Sequence, residues 1–238
     1  MAPLPSMMSL PKPLREVAKR WYAAVYGSPV ITRFFTRHFH RAYYASNHTY
    51  LRSHWRGVRI LKCPLDLWIY QELLWSTRPD LVIETGTAHG GSAFYFASLF
   101  DLMGHGEVLT IDTERQPGLP VHPRITYLNG SSADPAIAAR ARQAAQGKQR
   151  VMVVLDSDHS EAHVLKELRA YSPLVTPGNY LVVEDTHIGH PIPPFSQAGP
   201  LEAVRVFLKE APEFEVDHHC ERLLMSFNYN GYLKRAGG

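Results

Sequence analysis

The sequence predicts an α/β protein, a doubly wound, mostly parallel sheet preceded by a helical, aromatic-rich appendage. Three observations predict it. From residue 80 onward, short apolar runs alternate with helix-length amphipathic stretches. The first of these runs ends in an acid and passes straight into a glycine loop and a helix, VIETGTAHGGS. The first 60 residues have another texture, with aromatic side chains set among Arg and His in no strand period. The expected units are therefore 1–60 for the appendage and 61–238 for the sheet domain, since 238 residues bury one sizeable core and still carry a smaller unit.

In chain order, the appendage holds Trp21, Tyr22, Tyr26, Phe34, Phe35 and Phe39, then Tyr43, Tyr44, Tyr50 and Trp55. These suit packing against the main domain or a neighbouring subunit, or a substrate wall. Pro64 then opens a helix in which Leu65, Ile69 and Leu73 share one face. The expected strands are Leu81 to Glu84, Val108 to Asp112, Ile125 to Leu128, Val151 to Asp156 and Tyr180 to Glu184. The expected helices are Ser92 to Leu102, Ala136 to Ala145, Glu161 to Tyr171, and one carrying Leu201, Val204 and Leu208 that stops at Pro212. Phe214 to His218 and Leu223 to Tyr229 read as a closing hairpin-like pair of strands, and Thr186 to Gly199 is too rich in Pro and Gly for an element, so it reads as a functional loop.

Composition excludes several classes. A hydrophobic fraction of 45% with 20% charged residues is that of a globular chain, against disorder or fibrous repeats. A formal charge of +3 with no block of like charge leaves little for a phosphate backbone to bind, so no nucleic-acid partner is expected. No apolar run reaches the roughly 18 to 20 residues that span a bilayer, and prolines break the amino terminus before any signal sequence forms. No membrane partner is expected. Cys63 and Cys220 stand far apart in no metal-binding pattern and read as free thiols, which places the chain in the cytoplasm.

The chemistry concentrates at strand ends, where ligands of doubly wound sheets bind. Gly86, Gly90 and Gly91 let a ligand approach the backbone closely, while Glu84 just before them repels a pyrophosphate and attracts a cation. Asp112 closes the second strand where an acid accepts hydrogen bonds from ribose hydroxyls. Together they favour S-adenosylmethionine over NAD. Asp156, Asp158, Glu184 and Asp185 gather on one sheet edge, where their mutual repulsion calls for a cation, and all-oxygen donors indicate Mg²⁺, with Mn²⁺ or Ca²⁺ as substitutes. His159 beside these acids is a candidate general base. His163 reads as solvent-facing, and His187 and His190 as loop residues near a substrate mouth or in solvent; the order H-S-E-A-H is not a metalloprotease motif.

The segments LKCPLDLWIYQELLW, VIETGTAHGGSA, LTIDT, LDSDHSEAHVLKEL and YLVVEDT, spread over roughly residues 55 to 235, together resemble the cephalosporin hydroxylase/rhamnosyl O-methyltransferase family. The resemblance implies a Rossmann-like class I methyltransferase fold and S-adenosylmethionine-dependent, Mg²⁺-assisted O-methylation of a small-molecule hydroxyl, in a secondary metabolite or its sugar. It implies cofactor contacts from Glu84, Gly86, Thr87, Gly90, Ser92, Asp112, Ser131, Ser132 and the Asp156 strand end. It also implies a metal held by Asp156 or Asp158 with Glu184 and Asp185, a base at Asp158 or His159, and a homo-oligomer. Two other readings stay open on the residues alone: an NAD-dependent oxidoreductase and a non-catalytic, nucleotide-responsive binding protein.

Overall fold

The computed structural model describes residues 11–46, 49–190, 192 and 198–237. A seven-stranded sheet forms its centre, in the order β5-β4-β3-β6-β7-β9-β8. The strands are β3 (Leu81–Thr85), β4 (Glu107–Asp112), β5 (Ile125–Asn129), β6 (Val151–Leu155), β7 (Tyr180–Val183), β8 (Phe214–Val216) and β9 (Tyr232–Arg235). The first five are mutually parallel, and β9 runs antiparallel between β7 and β8. A two-stranded hairpin of β1 (His54–Trp55) and β2 (Val58–Arg59) precedes the sheet.

Strand alternation sorts the core into two layers. Leu81 and Ile83 of β3 point to one face, where α5 (Pro135–Ala145), α6 (Glu161–Tyr171) and α7 (Pro200–Glu210) pack; Val82 points to the other, under α3 (Pro64–Thr77) and α4 (Gly91–Met103). The chain leaves β3 outward through β4 and β5, then returns to the opposite side of β3 as β6. This reversal opens a crevice at the carboxyl ends of β3 and β6, the position at which such sheets hold ligands. Before the sheet come α1 (Lys12–Tyr26) and α2 (Pro29–Ala45); α1 buries no residue and α2 buries only His40. No helix among the described residues is long and apolar enough to cross a membrane.

The five strands and the helices after them fall where the sequence pattern puts them. The closing pair does not. β8 forms as expected, but its partner is β9 at Tyr232–Arg235, and residues 223 to 229 are irregular. Met225 and Phe227 are buried instead against Cys63, Tyr43, Tyr44 and Tyr50, and a single buried acid ties the segment down. Asp66 on α3 accepts hydrogen bonds from Ser226 Oγ (2.7 Å), the Phe227 amide (2.8 Å) and Tyr232 OH (2.9 Å). Its burial raises its pKa to about 6 against those donors. The loop is thereby tied to α3 and β9 at once. Of the expected loop 186–199, residues 191 and 193–197 lie outside the described residues.

Asp66→Ala strands three buried donors, so urea denaturation should show a loss of at least about 3 kcal/mol. A loss under 1 kcal/mol would show the anchor to be dispensable.

Candidate active site

The site starts at the end of β3. Gly86 takes φ +87°, and a Cβ there would lie 1.8 Å from the Asp156 carbonyl oxygen, so only glycine lets this loop close over the end of β6. Gly90 is the left-handed N-cap of α4. Beneath the loop, Thr87 Oγ1 lies 2.7 Å from Thr110 Oγ1, which donates to Glu84 Oε2 at 2.7 Å. Glu84 is fully buried, and its other oxygen has no hydrogen-bond partner among the described residues. Burial pushes its pKa up to about 7, against the pull of Lys62. Asp112, ending β4, accepts from the Ala88 amide (2.9 Å) and the Glu114 amide (3.0 Å), and so braces the loop.

Across the crevice, β6 delivers Asp156 and the turn after it delivers His159, while β7 runs into Glu184 and Asp185. His159 Nε2 is 3.3 Å from Asp156 Oδ1 and 3.3 Å from Asp185 Oδ2. One donor atom from each of Asp156, His159 and Asp185 falls within 4.8 Å of the others, close enough to hold one cation. Asp185 is held at φ +56°, left-handed for a non-glycine residue, with its amide on Asn228 Oδ1 at 3.1 Å. Burial would lower the His159 pKa, but Asp185 and Asp156 outweigh it and raise it to about 9. Burial, with the charge of Asp156 adding to it, pushes the Asp185 pKa upward against the pull of His159 and Lys62.

Sequence reasoning missed the counter-charge at this edge. Lys62, 2% exposed, places Nζ 2.5 Å from Asp156 Oδ2 and 2.8 Å from Glu184 Oε1. Tyr70 donates to the same Glu184 oxygen at 2.5 Å. Burial would strip Lys62 of its proton, but Asp156, Glu184 and Glu84 together hold it charged. Asp156, which burial would raise, is held below the usual carboxylate range by Lys62 and His159. The available signal was a lysine embedded in the apolar run Ile60-Leu61-Lys62-Cys63 just before a proline-initiated helix.

One cavity of about 330 Å³ collects Gly86, Thr87 and Ser92 on its loop side and Lys62, Asp156, His159 and Asp185 on the other. Tyr44, Tyr50 and Phe227 face into it, the two tyrosine rings stacked at 4.8 Å. Asp112 lies in a small adjoining cleft that shares Thr87. Glu84 and Glu184 are buried and do not line the cavity, and Gly90, Ser131 and Ser132 do not line it either. Asp158 is exposed, and its Oδ1 accepts from the Ser160 amide (2.8 Å) at the start of α6.

Two histidines depart from expectation. His163 is not a solvent-facing residue: its Nε2 lies 3.2 Å from Ser132 Oγ and 3.1 Å from Ser157 Oγ, beside the buried Glu167. His187 is fully buried, with Nδ1 2.9 Å from Nε2 of the buried His40. Burial lowers the pKa of both rings, so they pack as neutral groups. His190 pairs with Glu202 at 2.9 Å.

Residues 47–236 match the rhamnosyl O-methyltransferase/CmcI family. The chain belongs to this family. It is 40% identical over 192 residues, covering 77% of each chain, to a rhamnosyl O-methyltransferase of Mycobacterium tuberculosis (strain ATCC 25618 / H37Rv). It is 38% identical over 204 residues, 83% of this chain and 89% of the relative, to a rhamnosyl O-methyltransferase of Mycobacterium leprae (strain TN). A CmcI structure described with Mg and SAM superposes with a TM-score of 0.61 at 22% identity, over 79% of this chain and 78% of that one. The fold is therefore that of the Rossmann-like methyltransferases, and α1 and α2 precede the part of the chain that the family covers.

In chelator, thermal stability of this family member should fall as pH rises from 6.5 to 9. With a folded pKa of about 9 against an ordinary 6.5, His159 keeps a proton that the unfolded chain has lost. Its contribution is thus complete below 6.5 and gone above 9. Thermal melts of His159→Gln should show a flatter decline across that window; an equal decline would remove His159 as its source.

Proposed function

We propose that this chain transfers the methyl group of S-adenosylmethionine to a hydroxyl oxygen of a small molecule, a sugar hydroxyl of a secondary metabolite, with Mg²⁺ assisting. The observation that carries the reading is the meeting, in one cavity, of the glycine-loop cradle with Asp156, His159 and Asp185. The relatives' names, rhamnosyl O-methyltransferase, support the reaction and the sugar. A CmcI structure described with Mg and SAM accords with the two cofactors.

The residues fit both groups. For the cofactor, Gly86 leaves a hollow that a Cβ would fill, and a buried acid with one unpartnered oxygen lies beneath the loop. That negative charge suits an ammonium and a sulfonium and opposes the pyrophosphate of a dinucleotide, which argues against the oxidoreductase reading. For the metal, the cavity-facing carboxylates of Asp156 and Asp185 are oxygen donors of the kind Mg²⁺ or Mn²⁺ takes, which leaves the His159 imidazole free to act as a base. Asp156 and Asp185 would hold the ion; Glu184, on Lys62 and Tyr70, and Asp158, facing solvent, are less suited. When bound, Mg²⁺ supplies positive charge that favours the ionised acceptor hydroxyl and relieves His159 of the carboxylates that keep it protonated.

The protein's own side chains do the rest. His159 Nε2 takes the acceptor proton. Tyr44, Tyr50 and Phe227 offer flat apolar surfaces to a ring and keep water from the methyl path. The glycine loop sets the cofactor opposite His159, so that positioning carries much of the rate.

We further place the protein in the cytoplasm, where its two buried cysteines stay free thiols, and infer a homo-oligomer. Leu14, Val17 and Trp21 of α1 and Phe34, Phe35 and Phe39 of α2 are each more than half exposed, large apolar side chains on two successive helices of the kind that a second copy covers.

Calorimetry and methyl-transfer assays test the enzyme. S-adenosylmethionine should bind with or without EDTA, NADH should not, and EDTA or Asp185→Asn should abolish turnover while leaving cofactor affinity nearly intact. Full activity in EDTA would end the metal-assisted reading. Sedimentation tests the assembly: the double variant Trp21→Ser/Phe35→Ser should run as a smaller species than the wild type, and identical profiles would refute the interface.

A further inference from the structure

Lys62 has no role in the proton transfer, yet it is the one buried cation among the described residues of the site, 2% exposed. Its neighbours Ile60 and Cys63 are 2% and 1% exposed, and Cys63 caps α3, so the backbone that carries it is pinned. The side chain reaches the cavity and ends between Asp156 and Glu184, with Glu84 close enough to add to the field. Asp156 is thus shared: Oδ2 faces the ammonium and Oδ1 faces His159.

We propose that Lys62 is a tethered counter-ion that sets the divalent-cation affinity of this site. The inference rests on the metal reading given above and extends it. In the cation-free enzyme the ammonium neutralises Asp156 and Glu184 and keeps the cluster folded. It also competes for Asp156 and repels an incoming dication only a few ångströms away. The result is a preformed site with weak, exchangeable metal binding, in which Mg²⁺ occupancy follows the free Mg²⁺ concentration.

Removing the charge should therefore tighten metal binding, the reverse of what loss of a purely structural residue does. Lys62→Met replaces the stem at similar volume, and Lys62→Gln keeps donors for both carboxylates; Lys62→Arg keeps the charge. Mn²⁺ titrations by calorimetry, on the full chain without cofactor, should show Kd at least about tenfold lower in Lys62→Met and Lys62→Gln than in wild type, and little changed in Lys62→Arg. Thermal melts identify a variant that fails to fold, and the Gln variant then carries the comparison. Binding by wild type that is equal or weaker in a folded Lys62→Gln overturns this inference alone. No Mn²⁺ binding by wild type, with S-adenosylmethionine still bound, overturns the metal reading and this inference with it.

Discussion

The Lys62 ammonium lies where β3, β6 and β7 end, amid Asp156, Glu184 and Glu84, and the carboxyl edge of the sheet depends on it. Three neighbouring parallel strands cannot each finish in an acid unless positive charge comes with them, because ionised carboxylates out of water repel strongly. Other folds meet this constraint with a helix terminus or solvent. Here the cation comes from the segment between β2 and α3, held in place by apolar neighbours on both sides.

That choice divides the labour among the acids. Glu184 is taken up by Lys62 and Tyr70 and lies beneath the cavity; Glu84 stays below the glycine loop with one oxygen unpartnered. Asp156 and Asp185 are left to face the cavity with His159 between them. The four acids that the sequence gathers on one edge are thus one buried acid, Glu184, one pair of open carboxylates, Asp156 and Asp185, and, in Asp158, a turn residue at the start of α6.

The opposite wall is assembled from remote parts of the chain. Asp66 of α3 ties down residues 226 and 227, which brings Phe227 against Tyr43, Tyr44 and Tyr50. The neutral pair His40 and His187 then joins α2 to the segment after β7. That wall of the cavity therefore includes a residue from before the family-matched region, Tyr44, as well as Tyr50 and Phe227 within it.

Sequence by itself determined the parallel sheet, its strand ends and the glycine loop after β3, since these rest on local period, on glycines at tight turns and on acids at the ends of apolar runs. It also put Asp156, His159 and Asp185 on one edge, because parallel strands share their carboxyl ends. Tertiary structure alone decided which acids face the cavity, since that depends on the reach of Lys62 from 94 residues away. It alone decided that residues 223 to 229 form no strand, because burial against distant side chains such as Tyr43, Tyr44 and Tyr50 looks, along the chain, like burial in a sheet. His163 and His187 were misplaced for the same reason: the partners that bury them, Glu167 with Ser132 and His40, become neighbours only when the chain folds.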